Sequence, residues 1–467
     1  MNWELFGISL YILSMLFVGV WVSRRIKTED DYFLGGRTLG PFLATFSIFA
    51  TWFGAETCIG TAGNVYNNGL SNLHADPLGY TICLFIMAFF FARVLWRRKI
   101  TTIPDLFRER FSPNVEKFAA LLMIPGSIIW AAAQIRALGQ IIHANTEVGA
   151  TLAITAAAGV VIAYTMLGGM LADAYNDLIQ GIAVIIGLFF LLGALVYDLG
   201  GVGPALASIP IEKISFSGGE GASLGFLGNL ELWMVPILGS LMAQELVSRV
   251  VASRSEKVAF HSTIRAASIY LLVGCVPVLI GLLGPQYMTG LKDTETLMPL
   301  LAKVHLNYFF YIGFIGALVS AILSTVDTTL LSASALASHN LIYPVFKNLS
   351  EKQKMRVARG GTLVSGILAY AIAFSSESII SLVELASSLG GPSVLIITII
   401  ALWVKSGNSL NAIFAILMSL ACWVVTTFMV EIDYPVILTV VICAVSYFVS
   451  LPFTRNAVSE VPGTNCT

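Results

Sequence analysis

The sequence predicts an all-α protein that crosses the lipid bilayer many times. Hydrophobic residues make up 57% of its 467 positions and charged residues only 11%, a composition that excludes an ordinary water-soluble domain. Apolar runs of about 20 residues, the length that spans the hydrocarbon core of a bilayer, recur along the chain. They predict about 13 transmembrane helices, near residues 4–22, 39–67, 76–96, 117–145, 148–167, 173–197, 229–252, 260–284, 304–338, 355–375, 378–404, 409–430 and 433–453.

The distribution of basic residues predicts the orientation of these helices. No basic residue precedes the first apolar run and a basic cluster follows it at 24–27, so we expect an uncleaved anchor whose amino end lies outside. With this orientation, the outer loops hold only Lys213, Lys292 and Lys303, in agreement with the positive-inside rule. We therefore expect a multi-pass protein of the plasma (inner) membrane with a cytoplasmic carboxyl terminus.

A long outer loop, rich in glycine and poor in charge, separates two sets of five predicted helices. An odd number of helices in each half makes the halves inverted relative to each other, a recurrent design among transporters. We accordingly divide the chain into a first transmembrane helix with its cytoplasmic loop (1–38), a first five-helix repeat (39–197), an extracellular loop (198–228), a second, inverted five-helix repeat (229–404), and two extra helices with a cytoplasmic tail (405–467).

The first helix of each half contains residues that interrupt helices. In the second span Gly54 and Gly60 flank Glu56, and in the seventh span Pro236 and Gly239 are close together. A break near the bilayer midplane exposes backbone carbonyls that can bind a cation. Gly and Pro are frequent in membrane helices generally, so a kinked but unbroken helix is the alternative. The pattern favours broken helices 2 and 7.

The ninth span contains an unusually polar segment. Residues 321–332 are rich in Ser and Thr and include Asp327, within an apolar run that has no Lys or Arg. An acid at bilayer depth costs about 2.5–3.5 kcal/mol, and such acids usually pair or line a pathway. Ser324, Thr325 and Thr328 lie on neighbouring turns, so their oxygens can converge with Asp327. Such hard oxygen ligands favour a cation site, with hydrogen bonding between helices as the alternative.

Several motifs together make the chain resemble the sodium:solute symporter family from residue 32 to about residue 405. The matching segments are Tyr32–Arg37, 50–60, Gly168–Gln180, Ser248–Val250 and Ala321–Ser332. The resemblance implies a five-plus-five inverted repeat with an added first helix and extra carboxyl-terminal helices. It also implies a secondary active symporter that imports a small organic solute together with sodium.

The resemblance also implies where sodium binds, because the family holds it where the second and ninth spans meet. The corresponding groups are the backbone carbonyls of Ala50, Phe53 and Ala321 and the hydroxyls of Ser324 and Thr325. Some members hold a second sodium between the sixth and ninth spans. The matching residues here are Asp177, Ser324, Asp327 and Thr328, although Asp177 follows a short turn and could instead cap a helix or pair near the interface.

The substrate lies between the broken helices in this family, and the aromatic residues here are similar to those of members that carry choline. Trp52, Tyr80 and Trp130 match three positions of a cage for a quaternary ammonium, in which each cation–π contact contributes about 0.5–2 kcal/mol. Two other cage positions hold Ala243 and Val383 instead of aromatic residues. Packing or interfacial anchoring is the alternative role for the aromatic side chains. The substrate-binding residues that we expect are Trp52, Glu56, Thr57, Tyr80, Trp130, Gln134, Ala243 and Gln244.

A partial cage beside Glu56 favours an amine or a zwitterion such as choline or betaine. Sodium symport of a sugar, a carboxylate or an amino acid such as proline remains open. A proton-coupled amino-acid or polyamine permease is a more distant alternative, because it would have little need of Ser324 and Thr325.

Other functional classes have little support. The net charge of −1 does not indicate a nucleic-acid partner, and the six cysteines have no metal-binding spacing. No nucleophile and base pair is recognisable, so we expect no enzymatic activity. We expect the protein to act as a monomer in the lipid bilayer, with sodium as its only metal and no cofactor. Glu245 and Arg249 are four residues apart on one helix, so an internal ion pair accounts for both as well as a ligand does.

Overall fold

The computed structural model describes residues 17, 21–22, 26–146, 148–215, 225–346, 348–374, 378–430 and 432–454. All the regular elements within these residues are helices. Almost all of the predicted first span, 4–22, lies outside these residues. The α-helices are α1 (Glu29–Leu34), α2 (Pro41–Trp52), α3 (Thr61–Asn68), α4 (Tyr80–Ile86), α5 (Arg93–Arg98), α6 (Ile103–Arg110), α7 (Pro113–Asn145), α8 (Ala150–Asp198), α9 (Val202–Ala207), α10 (Ile211–Ile214), α11 (Phe226–Met234), α12 (Gln244–Val251), α13 (Glu256–Leu283), α14 (Leu297–His305), α15 (Tyr308–Ala335), α16 (Glu351–Ile372), α17 (Ile379–Ser388), α18 (Gly391–Trp403), α19 (Ser409–Phe428) and α20 (Pro435–Thr454).

The described residues form eight helices that are long and apolar enough to cross a membrane, or ten when each of two bent pairs is one span. This confirms an all-α membrane protein, whereas the predicted number of about 13 spans is not confirmed. Two of the predicted spans are not long enough or not apolar enough to be among these helices. The run at 148–167 forms the first part of α8, of which Ala150–Ala163 is a shorter apolar helix, and the run at 355–375 falls on α16.

The second predicted span is broken, as expected. Pro41 begins α2. The first N–H groups of a helix have no acceptor within the helix, so the missing N–H of proline costs no hydrogen bond at this position. The helix ends at Trp52, and Phe53 has non-helical dihedral angles of φ −89° and ψ 64°. Ala55 is helical again, with φ −62° and ψ −39°, and the two parts of the span are bent by 58°. The backbone between them is therefore outside any regular helix.

The seventh predicted span is broken in the corresponding way. Residues Phe226–Gly239 and Gln244–Val251 form two helical parts that are bent by 43°. Ala243 lies between them with φ −57° and ψ 131°, and α12 begins at the next residue. The two breaks agree with the inverted-repeat fold class.

A turn at Gly169 divides α8 into the fifth and sixth predicted spans. Gly169 has φ 58° and ψ 175°. A Cβ atom there would lie only 2.8 Å from the ring of Tyr32 and 3.1 Å from the Tyr32 carbonyl oxygen. Glycine is therefore needed for both the dihedral angles and the close approach of α1.

Helix α15 lies at the centre of the helical bundle and packs against α7, α8 and α2. Every residue from Ala317 to Ala335 is buried. Its many Ser and Thr side chains therefore face protein and not lipid, as polar groups at membrane depth must.

Candidate functional site

Four of the five groups predicted to bind sodium converge where α15 passes the break after α2. The Ser324 hydroxyl oxygen lies 2.9 Å from the carbonyl oxygen of Ala50 and 3.0 Å from that of Ala321. The Thr325 hydroxyl oxygen lies 3.3 Å and 3.2 Å from the same two carbonyls. All four residues are buried. The arrangement brings together two carbonyl and two hydroxyl oxygens, the hard ligands that suit an alkali cation.

The fifth predicted group, the carbonyl of Phe53, belongs to the first non-helical residue after α2. Its neighbour Gly54 faces both candidate sites. A Cβ atom on Gly54 would lie 2.8 Å from the Thr325 hydroxyl, 2.7 Å from a Glu56 carboxylate oxygen and 3.0 Å from the Gln134 amide oxygen. Gly54 therefore lies between the predicted sodium site around Ala50 and the polar side chains around Glu56.

The residues predicted for a second sodium are distributed between two sets of contacts. Ser47 of α2 donates a 2.7 Å hydrogen bond to Asp177, and the hydroxyl of Thr328 is 2.9 Å from the carbonyl oxygen of Ser324. Thr165, in the first part of α8, donates a 2.6 Å hydrogen bond to Asp327. Asp327 thus contacts a different part of α8 from the part that carries Asp177.

Arg249 is a buried residue whose partner is not the Glu245 that the spacing of four residues suggests. Its guanidinium pairs with Asp173 of α8, not with Glu245 on its own helix, and lies 3.8 Å from an oxygen of Asp177. It also donates to the hydroxyl of Thr51 at 3.0 Å and contacts that of Thr328. The guanidinium therefore supplies a fixed positive charge beside the predicted second sodium site. Spacing alone could not identify this partner, since Asp173 lies on another helix.

The three predicted cage residues pack together. The ring of Trp52 is 5.2 Å from that of Tyr80 and 5.3 Å from that of Trp130, measured between centroids. All three side chains are buried. We refer to Trp52, Tyr80 and Trp130 as the aromatic cluster.

Glu56 lies at the edge of the aromatic cluster. One carboxylate oxygen accepts a 3.1 Å hydrogen bond from the Trp130 indole, and the other accepts a 2.7 Å hydrogen bond from the Gln134 amide. Gln134 in turn accepts from the backbone N–H of Ala55 at 3.0 Å. Glu56 is 3% exposed and lines a cavity with Tyr80, Val383 and other residues, which we call the Glu56 cavity. The site thus combines aromatic faces with a carboxylate held in place by neutral donors.

Asp76 is a buried carboxylate beside this site that we did not predict as functional. The hydroxyl of Thr57 donates to it at 3.1 Å, and the hydroxyl of Tyr270 contacts both Asp76 and, at 2.8 Å, Thr57. Asp76 also lines the Glu56 cavity. The signal was an acid directly before Pro77 in an apolar run, whereas the approach of Tyr270 from α13 depends on tertiary packing.

The two substrate residues predicted from the seventh span, Ala243 and Gln244, do not line the Glu56 cavity. Ala243 lines a second cavity that Trp130 also lines. The amide of Gln244 lines it too, but it accepts from the N–H of Ile103 at 3.0 Å and donates to the carbonyl of Thr101 at 3.1 Å. Gln244 therefore holds the start of α6, and its amide oxygen and nitrogen both have protein partners.

Two known transporters are similar to this chain over most of its length. The chain is 28% identical to human high affinity choline transporter 1 over 88% of this chain and 74% of the relative. It is 27% identical to the Escherichia coli sodium/proline symporter over 79% of this chain and 76% of the relative.

Solved structures share the fold. A Na⁺-coupled sialic acid symporter, in a substrate-bound outward-open state, superposes with a TM-score of 0.85 at 20% identity, covering 96% of this chain and 98% of that one. MhsT in complex with L-phenylalanine superposes with a TM-score of 0.61 at 12% identity, covering 88% of this chain and 98% of that one. The sequence profile of one family matches residues 32–419, most of the chain. The protein belongs to the sodium:solute symporter family.

Proposed function

We propose that this symporter imports a small organic cation or zwitterion, such as choline or betaine, at the aromatic cluster. The observation that carries the proposal is the carboxylate of Glu56, buried against Trp130 and held by hydrogen bonds from Trp130 and Gln134. No described Lys or Arg lies within ion-pair distance of it. A buried carboxylate without a basic partner favours a ligand that brings its own positive charge.

The aromatic cluster supplies the second part of this recognition. Cation–π contacts with indole rings contribute about 0.5–2 kcal/mol each and do not require an N–H on the ligand. The indole N–H of Trp52 is buried and has no hydrogen-bond partner among the described residues. It could donate to an oxygen of the substrate, such as the hydroxyl of choline or a carboxylate of betaine.

We assign the coupling sodium to the carbonyls of Ala50, Phe53 and Ala321 and the hydroxyls of Ser324 and Thr325. Sodium there would join α2 to α15 and hold the non-helical backbone at Phe53 beside the substrate residues. Moving one charge through 100 mV supplies about 2.3 kcal/mol, enough for roughly fifty-fold accumulation. Sodium binding and solute uptake would thus be coupled through the break in the second span.

A second sodium at Asp177, Asp327 and Thr328 stays a prediction. The charge of Arg249, 3.8 Å from Asp177, disfavours another cation at that position by repulsion. We therefore favour one sodium per cycle in this arrangement of helices. We further propose a monomer in the plasma membrane, with the amino terminus outside, the carboxyl terminus in the cytoplasm and no organic cofactor.

Sodium symport of proline is the second candidate, because the sodium/proline symporter is among the relatives. Uptake into proteoliposomes with an inward sodium gradient separates the candidates. We expect choline or betaine to accumulate, and proline or a sugar to compete poorly. Equal uptake in sodium and in potassium buffer would reject sodium coupling, and uptake of proline but of no ammonium compound would reject the assigned substrate class.

A further inference from the structure

A second cavity is lined by Trp130 of the aromatic cluster and by none of the residues that line the Glu56 cavity. Its polar lining includes Ser127, Ser240 and Glu245, and Trp130 forms part of its wall. We call it the Glu245 cavity. Its remaining wall is largely apolar and includes Met123, Met242, Leu389 and Val394.

Each of the two cavities is lined by a member of the aromatic cluster. Tyr80 lines the Glu56 cavity and Trp130 lines the Glu245 cavity, while Trp52 packs against both of these rings. Trp130 also donates its indole N–H to Glu56. One tryptophan therefore contacts the carboxylate of the first cavity and forms the wall of the second.

Glu245 is a buried acid that the fold leaves without a full set of partners. It is 2% exposed, and its Oε1 atom has no hydrogen-bond partner among the described residues. The nearby guanidinium of Arg249 pairs with Asp173 instead. A buried carboxylate oxygen without a donor lowers stability, so a ligand that brings positive charge into this cavity would be stabilised there.

The position of Glu245 in the first turn of α12 has a simpler structural role, since helix dipoles favour acids near the amino end. That role requires neither burial nor a cavity. It also does not explain why the acid faces the same cavity as Trp130.

We infer that Glu245 and Trp130 form a second subsite for an organic ammonium ion, which the substrate occupies on its way to release. This inference rests on the proposed function. The apolar wall with Met123 and Met242 suits methyl groups bonded to nitrogen better than a hydrated sodium ion. Because Gln244 in the same wall binds the backbone of residues 101–103, which the charge distribution places inside, release is toward the cytoplasm.

The first test measures the attraction of cations into the cavity directly. Ser240→Cys places a thiol in its wall, and the rates of modification by trimethylammonioethyl and by anionic sulfonatoethyl methanethiosulfonate are compared. We expect a preference for the ammonium reagent that falls about tenfold in the Glu245→Gln background, because one buried charge is lost. The protein without Ser240→Cys corrects for its native cysteines. An unchanged ratio, or no reaction of the cysteine with either reagent, would overturn the subsite.

The second test uses transport from each side of proteoliposomes. Glu245→Gln should raise the half-saturating choline concentration for efflux about tenfold and that for uptake less than about twofold. A merely structural role would alter both directions alike, and that result would overturn the subsite. If wild-type protein takes up no ammonium compound with sodium, the proposed function fails. If wild-type uptake is sodium-driven but both Glu245→Gln measurements match wild type, only the subsite fails.

Discussion

The hydroxyl of Ser324 lies 2.9 Å from the carbonyl oxygen of Ala50, a residue 274 positions earlier in the chain. Ala50 belongs to the last turn of α2, just before the break, and Ser324 lies near the middle of the buried face of α15. The contact joins the first half of the fold to the second at the point where the backbone leaves its helix. A cation bound there would therefore respond to any movement of α2 against α15.

Gly54 is the position at which a small change should affect both candidate sites. In Gly54→Ala the new methyl group would lie 2.7 Å from Glu56 and 2.8 Å from Thr325, and overpacking of this kind costs about 1–3 kcal/mol. We expect sodium-driven uptake per folded protein to fall about tenfold or more. Gly159→Ala is the matched control, because nothing lies within 4 Å of its Cβ position. Equal initial rates for the two variants would contradict the arrangement.

Arg249 and Asp173 form a buried ion pair, so loss of either side chain should destabilise the protein by leaving the other charge buried without its partner. Removal of one partner, in Arg249→Met or Asp173→Leu, is expected to lower the free energy of unfolding by about 3–5 kcal/mol. The double variant Arg249→Met with Asp173→Leu should lose less than the two single variants together, since it removes both members of this pair. Denaturation of the purified variants in detergent measures this cycle. Strictly additive losses would show that the two side chains do not act as a pair.

Glu56 should distinguish charged from neutral ligands. In Glu56→Gln the side chain keeps its shape but loses its charge, so we expect the choline concentration that gives half-maximal thermal stabilisation to rise about tenfold. Glu109→Gln, a change at an exposed acid on α6, is the control. If choline stabilises Glu56→Gln and wild type at the same concentrations, Glu56 has no part in recognising the cation.

Asp327 is expected to act through its hydrogen bond with Thr165. Asp327→Asn and Thr165→Val should each destabilise the protein by about 1–3 kcal/mol, with a combined effect smaller than the sum. Neither change should alter the sodium concentration for half-maximal stabilisation by more than about twofold. A severalfold increase in Asp327→Asn alone would instead place Asp327 in a second sodium site.

Local sequence features were enough to predict the two helix breaks and the position of the hydroxyl pair. Gly54 lies at the first break and Pro236 shortly before the second, and both residue types favour the interruption of a helix. Ser324 and Thr325 stand out within an apolar run. The resemblance to a known family then supplied Ala50 as their partner. The helix breaks and the hydroxyl pair were predictable from neighbouring residues in the chain, and Ala50 was predictable from the motif shared with the family.

Contacts between distant helices were not predictable in this way. The spacing of Glu245 and Arg249 predicts a pair within one helix, but the turn at Gly169 brings Asp173 to the guanidinium instead. Likewise, the sequence predicts Gln244 as a substrate residue, but its side-chain amide forms hydrogen bonds with the backbone of Thr101 and Ile103 at the start of α6. Both outcomes depend on how whole helices pack, which the local pattern does not contain.

Sodium-dependent stabilisation of the purified protein tests the central claim most directly, because it does not require the solute to be known. Thermal unfolding is followed in sodium chloride and in potassium chloride at equal ionic strength. The proteins compared are wild type, Ser324→Ala, Thr325→Ala and the control Thr329→Ala. Thr329 is the control because its hydroxyl donates to the Val326 carbonyl of its own helix. We expect sodium alone to stabilise wild type and Thr329→Ala, and the half-maximal concentration to rise about tenfold in the other two variants. Equal stabilisation by both salts, or an unchanged sodium dependence in Ser324→Ala and Thr325→Ala, would contradict a sodium site between Ala50 and Ser324.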